Sequence, residues 1–503
     1  MSHSIPVPES GRERPRLQKG QTVTVRIASL AAGGEGVTRE LGTPVFVNRV
    51  APGDLVEVQL FDVRKDFARG EVTKLVEPSE QRAEPFCPVF KVCGGCQWQH
   101  IKYESQLEAK TDIVRQALKH IGKLDPALVL PAIGAVDPII YRNKVQFPVE
   151  AVPSTGRVLA GYYKQNSHEL VNIKHCPVQP ESLDRGLAAV KDLLEKFQLT
   201  IYDENTGKGL IRHIAERCSY SSNSVLITLV LNYTPPLSEG LHEKLTALAQ
   251  TLMESVPEVT GVCVNYNNRP GNRIMGDTSE CIAGQPYLIE TLRSHLPHAP
   301  QRLKDGLRFR LSSTSFFQVN SAQAEVLLDQ VLLAATNQSN ADRHEARFDQ
   351  PFQLVLDAYA GVGTMAMWMS ELAERVIAIE EVTSSIEDGE INLGLNNIEN
   401  VDFAHARVET EVPSLFEKLT KADVLIVDPP RKGIDAGGLN SIIELGPRRI
   451  VYVSCNPATL ARDLKILQAN GYDTKRVQPI DMFPQTYHVE SVTLLEKIGS
   501  QTS

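Results

Sequence analysis

The sequence predicts an α/β fold built on a doubly wound sheet, preceded by a small β-barrel and a mixed α and β middle segment. Three observations predict it. Apolar strand cores alternate with helical stretches over the last third of the chain. A glycine-rich turn, Gly361-Val-Gly363-Thr-Met-Ala366, follows the first of those cores. Near the N-terminus, short period-two segments are punctuated by glycine turns.

At roughly 150 residues per domain, 503 residues imply two to four domains. The 42% hydrophobic and 22% charged contents exclude a disordered or collagen-like chain. No apolar run approaches the ~18 residues of a membrane span. Residues 1–20 lack an apolar leader segment. The expected location is therefore the cytoplasm. Eight cysteines are too few there for a disulfide scaffold and point to metal binding or catalysis. A net charge of -9 does not advertise nucleic-acid binding, but the charge is uneven. Residues 1–76 carry +2 and residues 101–175 carry +3, a pattern compatible with local RNA contact.

Taken in order, residues 1–17 read as a flexible tail. Residues 18–76 read as a small barrel of OB type, because Val23, Val25 and Ile27, then Val45 and Val47, then Val56, Val58 and Leu60 alternate with polar residues around Gly33, Gly34 and Gly36. Residues 77–304 form a central domain that opens with a cysteine cluster. A helix follows, with Leu107, Val114, Leu118 and Ile121 at helical spacing and Gly122 at its C′ position. Short strands such as Ser224–Leu231 come next. Within residues 305–503, the polar stretch 337–350 reads as a loop or insertion. Strand cores then fall at Leu354–Leu356, Val376–Ile379, Val424–Val427 and Ile450–Val453. Asn456 and Pro457 open a helix over Ala458–Leu467 as N-cap and N1 residues. This alternation implies a parallel sheet.

The candidate chemistry lies at the carboxyl ends of these strands. Asp357 precedes the glycine turn, where it can meet a cationic ligand, and Glu380 ends the next strand, where a carboxylate can accept both hydroxyls of a ribose. Asp428-Pro-Pro-Arg-Lys-Gly433 ends a later strand, its prolines holding a rigid loop. Cys455, in Ser454-Cys455-Asn456-Pro457, sits at a helix N-terminus, where the dipole and free N–H groups favour thiolate, so it is the candidate nucleophile. Glu490, in His488-Val489-Glu490, stands at the mouth of a last strand as a candidate base. Cys87, Cys93 and Cys96, in C-x5-C-G-G-C spacing, gain a plausible fourth ligand in Cys176, and spacing alone leaves zinc and iron–sulfur equally open. Cys218, Cys263 and Cys281 show no partner pattern.

Together these motifs, with Phe317-Gln318-Val319-Asn320, resemble the RNA uracil-5-methyltransferases in content and order along nearly the whole chain. The resemblance implies a class I S-adenosylmethionine-dependent methyltransferase domain behind a TRAM-like barrel. It assigns a 4Fe–4S cluster to Cys87, Cys93, Cys96 and Cys176, S-adenosylmethionine contacts to Gln318, Tyr359, Glu380 and Asp428, the nucleophile to Cys455 and the general base to Glu490. It implies methylation at C5 of a uridine, with 23S ribosomal RNA preferred over transfer RNA, by a monomer. One position departs from the pattern. Where the family often has Asp or Asn after Val401-Asp402-Phe403, this chain offers Arg407, which cannot accept a hydrogen bond from adenine. An adenine contact there would have to come from backbone groups.

Other readings explain less. A radical methylthio-transferase would need C-x3-C-x2-C and would leave Ser454-Cys455-Asn456-Pro457 unused. A NAD-linked oxidoreductase rests on the glycine turn alone, and a non-catalytic RNA-binding protein has no use for Cys455.

Overall fold

The structure is a computed structural model, and it describes residues 17–348, 351–408 and 422–499. The N-terminal sheet has six strands in the order Thr22–Arg26, Leu55–Val63, Ala68–Glu77, Val45–Val47, Gly36–Thr38 and Ser29–Leu30. The alternating residues Val25, Ile27, Val45, Val47, Val56, Val58 and Leu60 form one buried core, as side chains with a period of two must when one face turns inward. Of the expected tail, residues 1–16 lie outside the described residues, and Leu17 is buried in this core.

The cysteine loop docks on the middle domain, where Gly94 N donates to Tyr163 O at 3.0 Å. The helix that follows runs Tyr103–Ala117 and widens into a π-helical turn over Leu118–Gly122. Two details differ from expectation. Ile121 is exposed, and Lys123 at φ 57°, not Gly122, is the left-handed residue that ends the helix. Gly122 serves close packing instead, because a Cβ there would stand 3.2 Å from Ala461 O.

The middle domain is a seven-stranded mixed sheet in the order Thr278–Gly284, Val259–Tyr266, Ser224–Leu231, Ile211–Ser219, Lys144–Ala151, Val158–Tyr163 and Leu170–Asn172. Helices Glu181–Lys196 and Glu239–Ser255 bury Leu183, Leu187, Leu245 and Leu248 in its core. An antiparallel hairpin, Tyr287–Leu292 with Leu307–Ser312, runs across the boundary expected between residues 304 and 305. Its Leu292, Leu307 and Phe309 join the core of the C-terminal domain.

That domain holds a sheet of β1 (Phe352–Ala358), β2 (Ala373–Glu380), β3 (Val401–His405), β4 (Val424–Val427), β5 (Arg449–Ser454), β6 (Tyr472–Ile480) and β7 (Glu490–Lys497). Their order is β3-β2-β1-β4-β5-β7-β6. Val355 faces one core and Leu354 and Leu356 the opposite one, so the sheet is covered on both faces. The expected wholly parallel sheet is corrected, because β7 runs antiparallel to both β5 and β6. A parallel crossover would need a helix, and only the loop 481–489 joins β6 to β7. The helix Pro457–Ala469 begins as expected, with Asn456 accepting from Ala458 N. The stretch 337–350 is a loop with one short 3₁₀ turn at Asn340–Asp342, and residues 349–350 lie outside the described residues.

Candidate active site

The strand order reverses between β1 and β4, which opens a crevice at the carboxyl edge of the sheet. Directly after β1 the chain takes a left-handed course at Tyr359, Gly361 and Gly363. Gly363 is required twice over, by its φ of 76° and because a Cβ would stand 2.6 Å from the Phe403 ring. Asp357 is buried at the end of β1 and accepts from Ala366 N at 2.8 Å, which ties the strand to the following helix. A cavity beside this turn is lined by Phe316, Phe317, Gln318, Asp357, Tyr359 and Asp428, among others. Burial pushes Asp357 up to about 8, with Asp428 and Glu380 adding repulsion, and burial pushes Asp428 up to about 7.

Glu380 stands outside the lining of that cavity. Its carboxylate accepts from Gly361 N at 2.8 Å, Glu381 N at 3.0 Å and Val382 N at 2.8 Å, so it fixes the glycine turn. Oε1 takes the Glu381 and Val382 N–H groups and Oε2 takes Gly361 N, so a further lone pair for a ligand hydroxyl remains on Oε2. Arg407 is exposed and donates from Nε to Glu381 at 2.7 Å.

Cys455 and Glu490 come together through sheet register. Ser454, the last residue of β5, pairs with Ser491 of β7. The next residue on one strand is Cys455 and the preceding residue on the other is Glu490, so the two leave the edge side by side. The expectation of a thiolate held by the helix N-terminus is corrected. Burial pushes Cys455 up to about 11, Glu490 and Asp428 push the same way, and Arg431 only partly opposes them. Burial raises the Glu490 carboxyl well above the carboxylate range, with Asp428 adding and Arg431 opposing.

Arg431 is the residue that sequence reasoning missed. Its signal was a cation within a rigid Pro-Pro loop at the ligand edge. The loop is anchored by Asn456 Nδ2 donating to Arg431 O at 3.0 Å and by Ile434 N donating to buried Asp463 at 2.9 Å. Cys455 opens into a cleft of about 580 Å³ shared by Arg431 and His488, by Arg39 and Phe46 of the barrel, and by His120.

Cys87, Cys93, Cys96 and Cys176 line a single small pocket, and all four are free thiols. Burial raises Cys96 to about 11 and Cys176 to about 12. Arg142 lines the same pocket, and its buried Nε has no hydrogen-bond partner among the described residues. Among the described residues, no group of three or more His, Cys, Asp or Glu side chains is gathered for a metal ion. Cys218 is buried in the middle domain's core. Cys263 and Cys281, read from sequence as partnerless, face each other across antiparallel strands. No helix among the described residues is long and apolar enough to cross a membrane.

The family profile for tRNA (Uracil-5-)-methyltransferase matches residues 294–498, and that for the TRAM domain matches residues 16–73. The chain is 41% identical over 482 residues to an uncharacterized RNA methyltransferase of Gloeobacter violaceus, covering 96% of this chain and 98% of the relative. It is 35% identical over 489 residues to another from Bacillus cereus, covering 97% and 99%. The crystal structure of a Pyrococcus abyssi tRNA (uracil-54, C5)-methyltransferase in complex with S-adenosyl-L-homocysteine shares the fold. Its TM-score is 0.70 at 23% identity, covering 94% of this chain and 100% of that one. With full-length likeness to RNA methyltransferases and a match of residues 294–498 to the tRNA (Uracil-5-)-methyltransferase profile, the chain belongs to the RNA uracil-5-methyltransferase family.

Proposed function

We propose that this enzyme methylates C5 of a specific uridine, in 23S ribosomal RNA, through a covalent bond from Cys455 to C6 of the uracil, with Glu490 as general base. The observation that supports this most is the cross-strand placement of Cys455 beside Glu490 at the mouth of a cleft shared with the barrel.

Uracil C5 is too weak a nucleophile to take a methyl group unaided. Addition of the Cys455 thiolate to C6 moves the electron pair into an enolate and makes C5 electron-rich. Arg431 is the cation that favours this thiolate against burial and its two carboxylate neighbours. S-adenosylmethionine, when bound, supplies the electrophilic methyl. Glu490 then takes the C5 proton, and the C6–S bond breaks to return the thiolate. Burial favours the protonated Glu490 at rest, so this step uses its ionised form, which Arg431 favours, and once ionised a buried carboxylate is a stronger base for that proton than an exposed one. Extruding the uridine from folded RNA costs about a few kcal/mol. The barrel and helix walls of the cleft are suited to grip the flanking strand.

Gln318, Tyr359 and Asp428 hold the methyl donor in this reading, with Glu380 on its ribose. The cavity beside the glycine turn fits a cationic ligand, since its two buried carboxyls, Asp357 and Asp428, repel each other. Cys87, Cys93, Cys96 and Cys176 hold a 4Fe–4S cluster. This reading is supported by four thiols around one pocket beside a buried arginine whose Nε lacks a partner, the ligand type such a cluster takes. The cluster supplies no electrons to this reaction, and its part is structural or in RNA recognition. The division into a barrel (18–76), a central domain (77–304) and a methyltransferase domain (305–503) belongs to the same reading, with residues 287–304 packing against the last. So do a monomeric state and a cytoplasmic location.

The same reaction on transfer RNA is the second reading, favoured by the substrate named for the Pyrococcus structure. Incubating the protein with total RNA and methyl-labelled S-adenosylmethionine, then mapping the labelled nucleotide by mass spectrometry, tests both. Label at a 23S uridine C5 is expected. Label in transfer RNA replaces the substrate, and label on another atom overturns the proposal.

A further inference from the structure

The loop 481–489 ends at Glu490, and it is held by the segment that carries the pocket cysteines. Gln485, five residues before Glu490, is buried at φ 67°. Its carbonyl accepts from Gln97 N and from Trp98 N, both at 3.0 Å. Gln97 directly follows Cys96. The Gln106 side chain, also buried, exchanges two hydrogen bonds with Gln485: Nε2 donates to Gln485 Oε1 at 3.0 Å, and Oε1 accepts from Gln485 N at 3.2 Å. Gln106 Nε2 also reaches Trp98 O at 3.1 Å and Ile101 O at 2.9 Å, so one amide ties the cysteine segment, its helix and the loop together. At the start of the same loop, Asp481 is clamped by buried Lys110 and by Tyr103 Oη at 2.9 Å.

Cys455 is braced differently. Its neighbour Asn456 bonds to Arg431 O, and the Arg431 loop is anchored on Asp463, which also accepts from Tyr452 Oη at 2.7 Å. All of these belong to the doubly wound domain. The hydrogen bonds that brace Cys455 thus lie within the catalytic domain, although the helix that follows it also packs on Leu118 and Gly122 of the N-terminal segment, while the approach to the base is hydrogen-bonded to that segment through Gln485.

We propose that Gln485 and Gln106 are positioning residues that aim Glu490, so that the cysteine segment governs removal of the C5 proton and not addition of the nucleophile. This rests on the covalent reading given above. Loosening the strap leaves Cys455 able to add and C5 able to take the methyl, but it delays the proton transfer that releases the product.

The test uses the full-length holoenzyme with total RNA and methyl-labelled S-adenosylmethionine, and it reads labelled product and labelled protein–RNA adduct separately. Glu490→Gln is the reference for a stalled adduct. Gln106→Leu is expected to lower the product rate about tenfold while raising the adduct fraction about tenfold, as loss of paired buried hydrogen bonds at a base would. Gln485→Gly keeps the left-handed backbone and the carbonyl, so it covers the case in which Gln106→Leu does not fold, and the same split is expected. A proportional fall of product and adduct in both variants, or unchanged turnover, overturns the proposal as a merely structural contact. If Glu490→Gln forms no adduct, the covalent reading falls and this inference with it. If Glu490→Gln stalls and neither strap variant does, only this inference falls.

Discussion

Cys455 and the pocket cysteines Cys96 and Cys176 are the same side chain, each pushed up by burial, yet their surroundings differ. Burial lifts Cys455 and Cys96 to about 11 and Cys176 to about 12. Next to Cys455, the other influences are the carboxylates of Glu490 and Asp428, with exposed Arg431 against them. Next to Cys96 and Cys176, they are first a hydrogen bond, from Gln99 and from the Val178 backbone respectively, and then other thiols and Arg142, with Asp184 a lesser neighbour of Cys176. A thiol facing carboxylates and an open cleft is disfavoured as an anion at rest, which suits a nucleophile formed only for turnover. Thiols gathered around a cation lose their protons together when a metal arrives. The difference teaches that burial alone does not tell a nucleophile from a ligand. The charged neighbours and the access do.

The largest effects separate Cys455 from its neighbour Glu490. Cys455→Ala removes the sulfur proposed to add to C6, so methyl transfer is expected to fall by several orders of magnitude, with no covalent adduct. Glu490→Gln keeps a similar shape and removes the base. Turnover is expected to fall by roughly 10²–10⁴-fold while a labelled protein–RNA adduct accumulates on a denaturing gel. Normal turnover by Glu490→Gln, or methylation by Cys455→Ala, breaks the assignment.

On the other side of the comparison, Cys176→Ser is expected to lose iron, whereas Cys263→Ser keeps it. Anaerobically purified protein should be brown, with about four iron and four sulfide per chain if the pocket holds a 4Fe–4S cluster. Stoichiometric zinc without iron under those conditions would make all four cysteines a zinc site instead.

Much of this was legible in the sequence because the relevant signals are local. The strand cores of β1, β2, β4 and β5, the Asn456-Pro457 helix start and the barrel's period of two each follow from a few neighbouring side chains. The antiparallel course of β7 was not legible, since it depends on which strand the chain returns to. The raised pKa of Cys455 was not legible for the same reason, because Glu490 lies 35 residues away and meets it only through sheet register. The facing of Cys263 and Cys281 is likewise a property of strand pairing.

Glu380 marks a smaller effect. Its carboxylate already holds three backbone N–H groups of the turn and the strand end. Glu380→Ala therefore removes both the turn's anchor and the proposed ribose acceptor. Binding of S-adenosylmethionine by calorimetry is expected to weaken by at least about tenfold, since a charge-assisted hydrogen bond contributes roughly 1.5–3 kcal/mol. Glu380→Gln keeps one acceptor and is expected to fall between the two. Unchanged affinity in both would remove Glu380 from the donor site.

The smallest effect concerns Asp428, which the two halves of the site share, because it lines the proposed donor cavity and also disfavours the Cys455 thiolate. In the free protein Asp357 is raised to about 8 and Asp428 to about 7. A cationic methyl donor binds best when they are ionised, so binding should release protons, and affinity should rise between pH 6 and about 8, by at most roughly tenfold per pH unit per group. Stability without ligand runs the other way. A carboxyl whose folded pKa is raised contributes stability that is fully present below its unfolded value of about 3.9 and is lost as pH rises through about 7 to 8. The unliganded protein should therefore melt earlier at pH 8.5 than at pH 6, while the donor binds more tightly at the higher pH. Asp428→Asn should flatten both trends in part, leaving the share due to Asp357. Calorimetry in two buffers of different ionisation enthalpy reads the released protons directly. A flat affinity from pH 6 to 8 with no proton release would mean that neither carboxyl meets the cation, and the donor cavity would have to lie elsewhere along the edge.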